Sequence, residues 1–354
     1  MNVKLSEKQT AILKDIVRFK LLSTYQVGQL HFSENIGQGS GSAPANMMRK
    51  LKMAKCVNCS YTPLNSTETK TPTRPTAIWY TSAKELKQIN KILVQQGRIS
   101  DWETIEAITQ SINKDQRFAE QSLRHEVGIS DALIAIEKIN NVSDYKLIFS
   151  LRTSPKHEDI TQTIEVTKTK TVSNFKTKQT IEKEVRQRIA INPDIFICIK
   201  NPDTTYSFFF VEYDNDSSKE SKFFEKLEGY YVYQTRGLFE PVAKVFSERY
   251  AIPIKDFSKA SFRVLTLVHS HKNISRRRNA LFARSILLPT ERFFNFATID
   301  DWCKNPLGKI LLNKKTFSPL MDEYQNRIKP ANRMVANKWF DSNLDTLMKD
   351  TITL

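Results

Sequence analysis

Cysteine is scarce. Four residues, Cys56, Cys59, Cys198 and Cys303, are too few and too scattered in 354 residues to staple a fold, which excludes a disulfide-rich scaffold. Cys56 and Cys59 have the spacing of a metal-ligand pair. Structural zinc needs four ligands, however, and no second pair stands at a suitable distance, so the two are expected to be small residues leading into a strand. No run of about 18 apolar residues occurs, so no membrane span is expected. The opening segment Met1-Asn2-Val3-Lys4-Leu5-Ser6 lacks the apolar core of a signal peptide, and the expected location is the cytoplasm. Glycine is rare, at nine residues, while 40% of the chain is hydrophobic, which excludes wholesale disorder and predicts real cores in two or three domains. Acidic residues are the minority charge: 38 Asp and Glu face 54 Lys and Arg, a net charge of +16. That balance favours a polyanionic partner, nucleic acid first and an acidic membrane surface second.

Residues 1–99 hold 15 basic and 5 acidic residues, so +10 of the total lies there. Ser6-x-x-Gln9 and Ser23-x-x-Gln26 have the form of capping boxes, and each opens a short amphipathic segment. Ser42, with Pro44 behind it, opens a third helix over 43–55. Met47, Met48 and Leu51 form its inward side, and Asn46, Arg49, Lys50, Lys52 and Lys55 project outward. Two strand-like pieces follow, at 56–63 and 76–81, joined by a polar loop carrying Lys70 and Arg74. Three helices and two strands in that order predict a winged helix-turn-helix over 1–99. Its third helix would read the major groove of double-stranded DNA, and the loop would be the wing. A winged helix serving protein contacts through a solvated basic face is the other reading.

The strongest chemical signal lies further on. Pro193-Asp194-Ile195-Phe196 is followed eighteen positions after Asp194 by Glu212, in Phe208-Phe209-Phe210-Val211-Glu212-Tyr213-Asp214. Carboxylates at the ends of neighbouring buried strands repel one another unless a counter-ion sits among them, and hard oxygens suit Mg²⁺ or Mn²⁺. Glu212 and Asp214, two apart, share one face of their strand. The bland alternatives are strand-opening turn chemistry at Asp194 and a polar turn at 214–217. Upstream, residues 123–139 are apolar nearly all round and predict a buried helix, yet they carry His125, Glu126 and Asp131. Strands are expected at 145–151, 163–170, 194–199, 207–213 and 262–269, with helices at 217–233 and 241–250. Together they describe an α/β sandwich around a mixed sheet.

This order resembles the PD-(D/E)xK, or restriction-endonuclease-like, fold, with Pro193-Asp194 and Glu212 at its acidic positions. Asp214 stands where that fold has lysine, and Lys226 is the first choice to replace it from the following helix, with Lys219 and Lys222 behind it. Winged helix, His-bearing buried helix, Pro-Asp, aromatic strand and Lys226-Leu227-Glu228-Gly229-Tyr230 together resemble the replication-relaxation family over about residues 5–270. That family includes the mobilisation-C (MOBC) class of conjugative relaxases, which nick DNA at a transfer origin. The resemblance implies an α+β/α/β chain: a winged helix (1–99), a linker helix (100–120), a nuclease or relaxase domain (121–290) and a helical C-terminal region (291–354). It implies Asp194, Glu212, Asp214 and His125 as metal ligands or their close neighbours, His125 alternatively as general base, and Lys226 as the phosphate-facing cation. Tyr230, Tyr231 and Tyr233 are candidate nucleophiles beside water. Partners would be transfer-origin DNA and a type IV coupling protein or relaxosome accessory proteins.

His269, His271, Lys272, Arg276, Arg277 and Arg278 form a basic cluster between a strand and a helix, read either as a phosphate site or as a solvated loop. Trp302 and Trp339 are expected anchors of the last segment. Two functions of different class follow: a metal-dependent nicking enzyme, or a non-catalytic DNA-binding accessory protein with a degenerate nuclease-like domain.

Overall fold

The computed structural model describes residues 4–32, 42–62, 76–111, 120–139, 144–153, 159–173, 180–215, 220–269, 274–285, 288, 293–307 and 311. In the N-terminal part, α1 (Glu7–Arg18), β1 (Leu21–Ser23), α2 (Thr24–His31) and α3 (Ala43–Met53) precede β2 (Asn58–Thr62) and β3 (Thr76–Tyr80). The capping boxes at Ser6 and Ser23 both form, each serine accepting from the amide three residues on while that glutamine returns to the serine amide. The strands make an antiparallel sheet in the order β1-β3-β2. β1 is an element the sequence reading does not contain. Lys70 and Arg74 lie outside the described residues.

Two helices follow, α4 (Ala83–Gln95) and α5 (Ile99–Ser111). α5 covers much of the expected linker but packs back on α1, where Lys14 Nζ lies 2.6 Å from Asp101. Helix α6 (Glu120–Glu137) then runs between the two halves of the chain. Its Ser130 hydroxyl donates to the Leu21 carbonyl at 3.2 Å, and Asp131 accepts from Gln26 Nε2 at 2.7 Å. Ile129, Leu133 and Ile136 share one apolar cluster with Ile12, Leu13 and Met48 on one side and Ile195 and Val211 on the other. The apolar circumference read at 123–139 thus has its cause: this helix is covered from both directions.

The remaining elements are β4 (Lys146–Arg152), β5 (Gln162–Ser173), β6 (Thr180–Ile191), β7 (Ile195–Lys200), β8 (Tyr206–Asp214), α7 (Glu220–Thr235), α8 (Glu240–Tyr250), β9 (Phe262–Val268), α9 (Ile274–Ser285), β10 (Phe294–Thr298) and α10 (Ile299–Lys304). Five strands form a mixed sheet in the order β10-β9-β8-β7-β4. β10, β9 and β8 run parallel, and β7 and β4 are antiparallel to their neighbours. Phe209, Val211 and Tyr213 of β8 face the α6 side, whereas Phe208 and Phe210 face α7 and α8. Both faces being covered, β8 reads as an unbroken apolar run, and the architecture is α+β with a three-layer sandwich at its centre. β5 and β6 stand apart as a two-stranded ribbon. Trp302 is fully buried and donates to the Ala132 carbonyl of α6 at 3.1 Å; Trp339 lies outside the described residues. No helix among the described residues is long and apolar enough to cross a membrane.

Candidate functional site

The alternation that sends Phe208 and Phe210 into the aromatic layer continues to Glu212 and Asp214, so both carboxylates enter the same buried side. In the antiparallel β7–β8 pair, Ile195 stands opposite Val211. Asp194, one residue earlier, is therefore level with Glu212, and its amide donates to the Val211 carbonyl at 2.9 Å. Its Oδ2 accepts from the Tyr213 amide at 2.8 Å and lies 3.5 Å from His125 Nε2. His125 Nε2 is also 3.1 Å from the Tyr213 carbonyl oxygen. The two carboxylates thus share a layer of the sheet rather than pointing apart.

Lys226 reaches this pair from α7. The helix buries Phe223, Leu227 and Tyr230, and that face brings Lys226 Nζ to 2.5 Å from Glu212 Oε2 and 3.2 Å from the Asn192 carbonyl. The Tyr230 hydroxyl donates to the other oxygen, Oε1. Burial raises the Glu212 carboxyl to about 7, with Lys226 pulling it down and Asp194 pushing it up. Burial acts the same way on Asp194, but His125, Lys226 and the Tyr213 amide outweigh it and hold that carboxyl below its ordinary range. Burial would lower Lys226, yet Glu212 and Asp194 raise it. His125 is raised likewise, its burial outweighed by Asp194 and Glu212. The site therefore holds one firmly ionised carboxylate, one carboxyl near neutrality and two groups favoured as cations. These four side chains border a cavity of about 410 Å³, together with Gln187 and Arg188 of β6 and Lys222 and Glu225 of α7.

Asp214 does not complete a three-carboxylate cation site. Arg277 of α9 clasps it with two hydrogen bonds, Nε at 2.8 Å and Nη2 at 3.1 Å, and both side chains are buried. Its counter-ion is an arginine 63 residues away, a partner no local motif announces. Arg277 and Arg278, read from sequence as surface phosphate ligands, are both buried; Arg278 donates to Asn279 Oδ1, and Arg276 alone of the three is exposed. Among the described residues no group of three or more His, Cys, Asp or Glu is placed to hold a metal ion. In this arrangement Lys226 and Tyr230 take the two Glu212 oxygens, and Arg277 takes Asp214. Tyr230 and Tyr233 are fully buried, and burial raises both phenols above their ordinary range, which removes them as solvent-facing nucleophiles in this arrangement. Lys222 lines the cavity; Lys219, His271 and Lys272 lie outside the described residues.

A second charged group, unread in the sequence, joins the two halves. Arg152 of β4 is buried, donates to the Phe19 carbonyl at 2.6 Å and pairs with Glu126 of α6. Burial lowers Arg152 to about 9, against a pull upward from Asp194, and lowers the neighbouring Lys20 to about 8. Lys20 sits at a positive φ of 65° in the turn after α1. Glu126 is thus engaged with these cations, not with solvent.

On α3, Met48 and Leu51 are buried, whereas Asn46, Arg49, Lys50 and Lys52 are exposed; Lys55, also exposed, lies beyond the helix end in the turn that follows, at a φ of 57°. Arg49 donates to Asn46 Oδ1 at 3.0 Å, one turn away. The basic face read from the spacing is the face presented outward.

The fold and the charged pocket define a mixed-sheet α+β protein with an N-terminal helix-and-hairpin unit and a buried acid–lysine site. It belongs to the replication-relaxation family, whose pattern matches residues 13–248. No curated protein and no solved structure matches the chain.

Proposed function

We propose that the protein binds double-stranded DNA through an N-terminal winged helix and serves replication or mobilisation of a plasmid or integrative element as a non-catalytic accessory or regulatory factor. Support for the winged helix comes from the order α1-β1-α2-α3-β2-β3, the antiparallel β1-β3-β2 sheet and the exposed basic face of α3. The observation that carries the non-catalytic reading is the closure of Glu212 and Asp214 by the chain's own donors: the Lys226 ammonium and the Tyr230 hydroxyl on Glu212, the Arg277 guanidinium on Asp214. A supercoiled-plasmid nicking assay, run beside a gel-shift assay, tests it. The expected result is retarded DNA with no nick in Mg²⁺, Mn²⁺ or EDTA.

One observation favours a second reading. Asp194 and Glu212 lie level on adjacent strands, share Lys226 and adjoin His125 beside an open cavity. This arrangement resembles the acid–acid–lysine set of a PD-(D/E)xK nuclease, with the lysine supplied by a helix. Under it, the protein is a relaxase-like nicking endonuclease acting at a transfer origin, its ion Mg²⁺ or Mn²⁺ and its partners a type IV coupling protein or relaxosome accessory proteins. Metal-dependent nicking that disappears in Glu212→Ala would establish that reading over the first.

A further inference from the structure

We infer that the β5–β6 ribbon is a second DNA-contacting element, a two-stranded arm that lies along a groove of duplex DNA beside the cavity. This rests on the DNA-binding reading above. The two strands pair over twelve positions, from Gln162 opposite Ile191 to Ser173 opposite Thr180, and join no other strand among the described residues. At the usual rise the ribbon is about 40 Å long, far more than a connection between β4 and β7 requires.

Among its described side chains, the base is anchored. Ile164, Val166, Ile189 and Ile191 are buried in the cluster that includes Phe223 and Leu227 of α7, and Gln187 Nε2 donates to Glu225 at 2.9 Å. Gly229 lets the helix approach so closely that a Cβ there would lie 2.6 Å from Ile189 Cγ2. Residues 162–191 carry seven Lys and Arg against three Glu, a surplus that suits a polyanionic partner. Arg186 and Arg188 are exposed, Arg186 with 81% of its side chain accessible, and Arg188 also borders the cavity. A two-stranded ribbon has the width that the major groove admits. The arm would thus hold duplex DNA beside the pocket.

The experiment is fluorescence anisotropy of the full-length protein with labelled duplex and single-stranded oligonucleotides over a series of salt concentrations. It compares wild type, Arg186→Ala/Arg188→Ala and Arg49→Ala/Lys50→Ala. The ribbon variant is expected to keep its circular dichroism and Tm, to bind duplex about tenfold more weakly at low salt, and to show a salt slope shallower by about 2. Wild-type affinity and slope in the ribbon variant, beside a loss in the α3 variant, overturn the arm and leave DNA binding by α3 standing. The same wild-type affinity with new self-association marks the charges as edge protection and also overturns it. A loss confined to the single strand overturns the duplex assignment. Failure of the wild type to bind duplex overturns both readings together.

Discussion

Lys226 Nζ lies 2.5 Å from Glu212 Oε2, joining a helix to a strand end through a carboxylate whose side chain is only 3% exposed. A buried charge left without its partner is costly, so Lys226→Met is expected to destabilise the protein by about 3 kcal/mol at pH 8. At pH 5 the loss should be smaller, because the stranded carboxyl takes up a proton. Urea unfolding at the two pH values checks this; equal losses at both would contradict it.

The raised Glu212 carboxyl also sets a pH dependence. Its folded pKa of about 7 lies above the ordinary 4.5, so the folded state holds this proton more firmly. The resulting contribution is fully present below pH 4.5 and is lost as pH rises through 7, a change on the order of 3 kcal/mol. Asp194, held low, contributes in the opposite sense and loses its share as pH falls through its own depressed pKa. Unfolding free energies from pH 5 to 8 should fall more steeply for wild type than for Glu212→Gln, which cannot titrate.

Arg277 and Arg276 are adjacent but should answer differently. Arg277→Ala strands the buried Asp214 carboxylate and is expected to cost about 3–5 kcal/mol. Arg276→Ala, on the exposed side, should shift stability by less than about 1 kcal/mol. Thermal unfolding of the two variants separates a structural arginine from a surface one.

Gly128 of α6 packs against Tyr213, and a Cβ built there would overlap its ring. Gly128→Ala is expected to destabilise by about 1–3 kcal/mol through overpacking, although alanine is the better helix former. A Tm equal to or above wild type would show that the ring can move aside.

On α3, Arg49→Ala and Lys50→Ala should each reduce the slope of log affinity against log salt by about 1, with no loss of stability. Gel-shift titrations at several salt concentrations give the slope.

Elements whose evidence is local were legible from the residues. The serine–glutamine caps, the two-sided apolar helix at 123–139, the inward Met48 and Leu51 against the outward Arg49 and Lys50, and the shared side of Glu212 and Asp214 all follow from spacings of two to four positions. β6 escaped because 180–191 mixes Glu182, Lys183, Glu184, Arg186 and Arg188 among its apolar residues, which breaks any sustained apolar alternation.

The amino-acid order by itself settled the basic character, the caps, the α3 faces and the placement of carboxylates at strand ends. Each depends on side-chain chemistry and a short backbone repeat. Which charges meet was decided by tertiary structure alone. Asp214 drew Arg277 from 63 residues away, Glu212 drew Lys226 and Tyr230 from α7, and Glu126 drew Arg152 from β4. A buried ion takes the counter-charge that packing brings within reach, and that reach is set by how helices cross a sheet, not by distance along the chain.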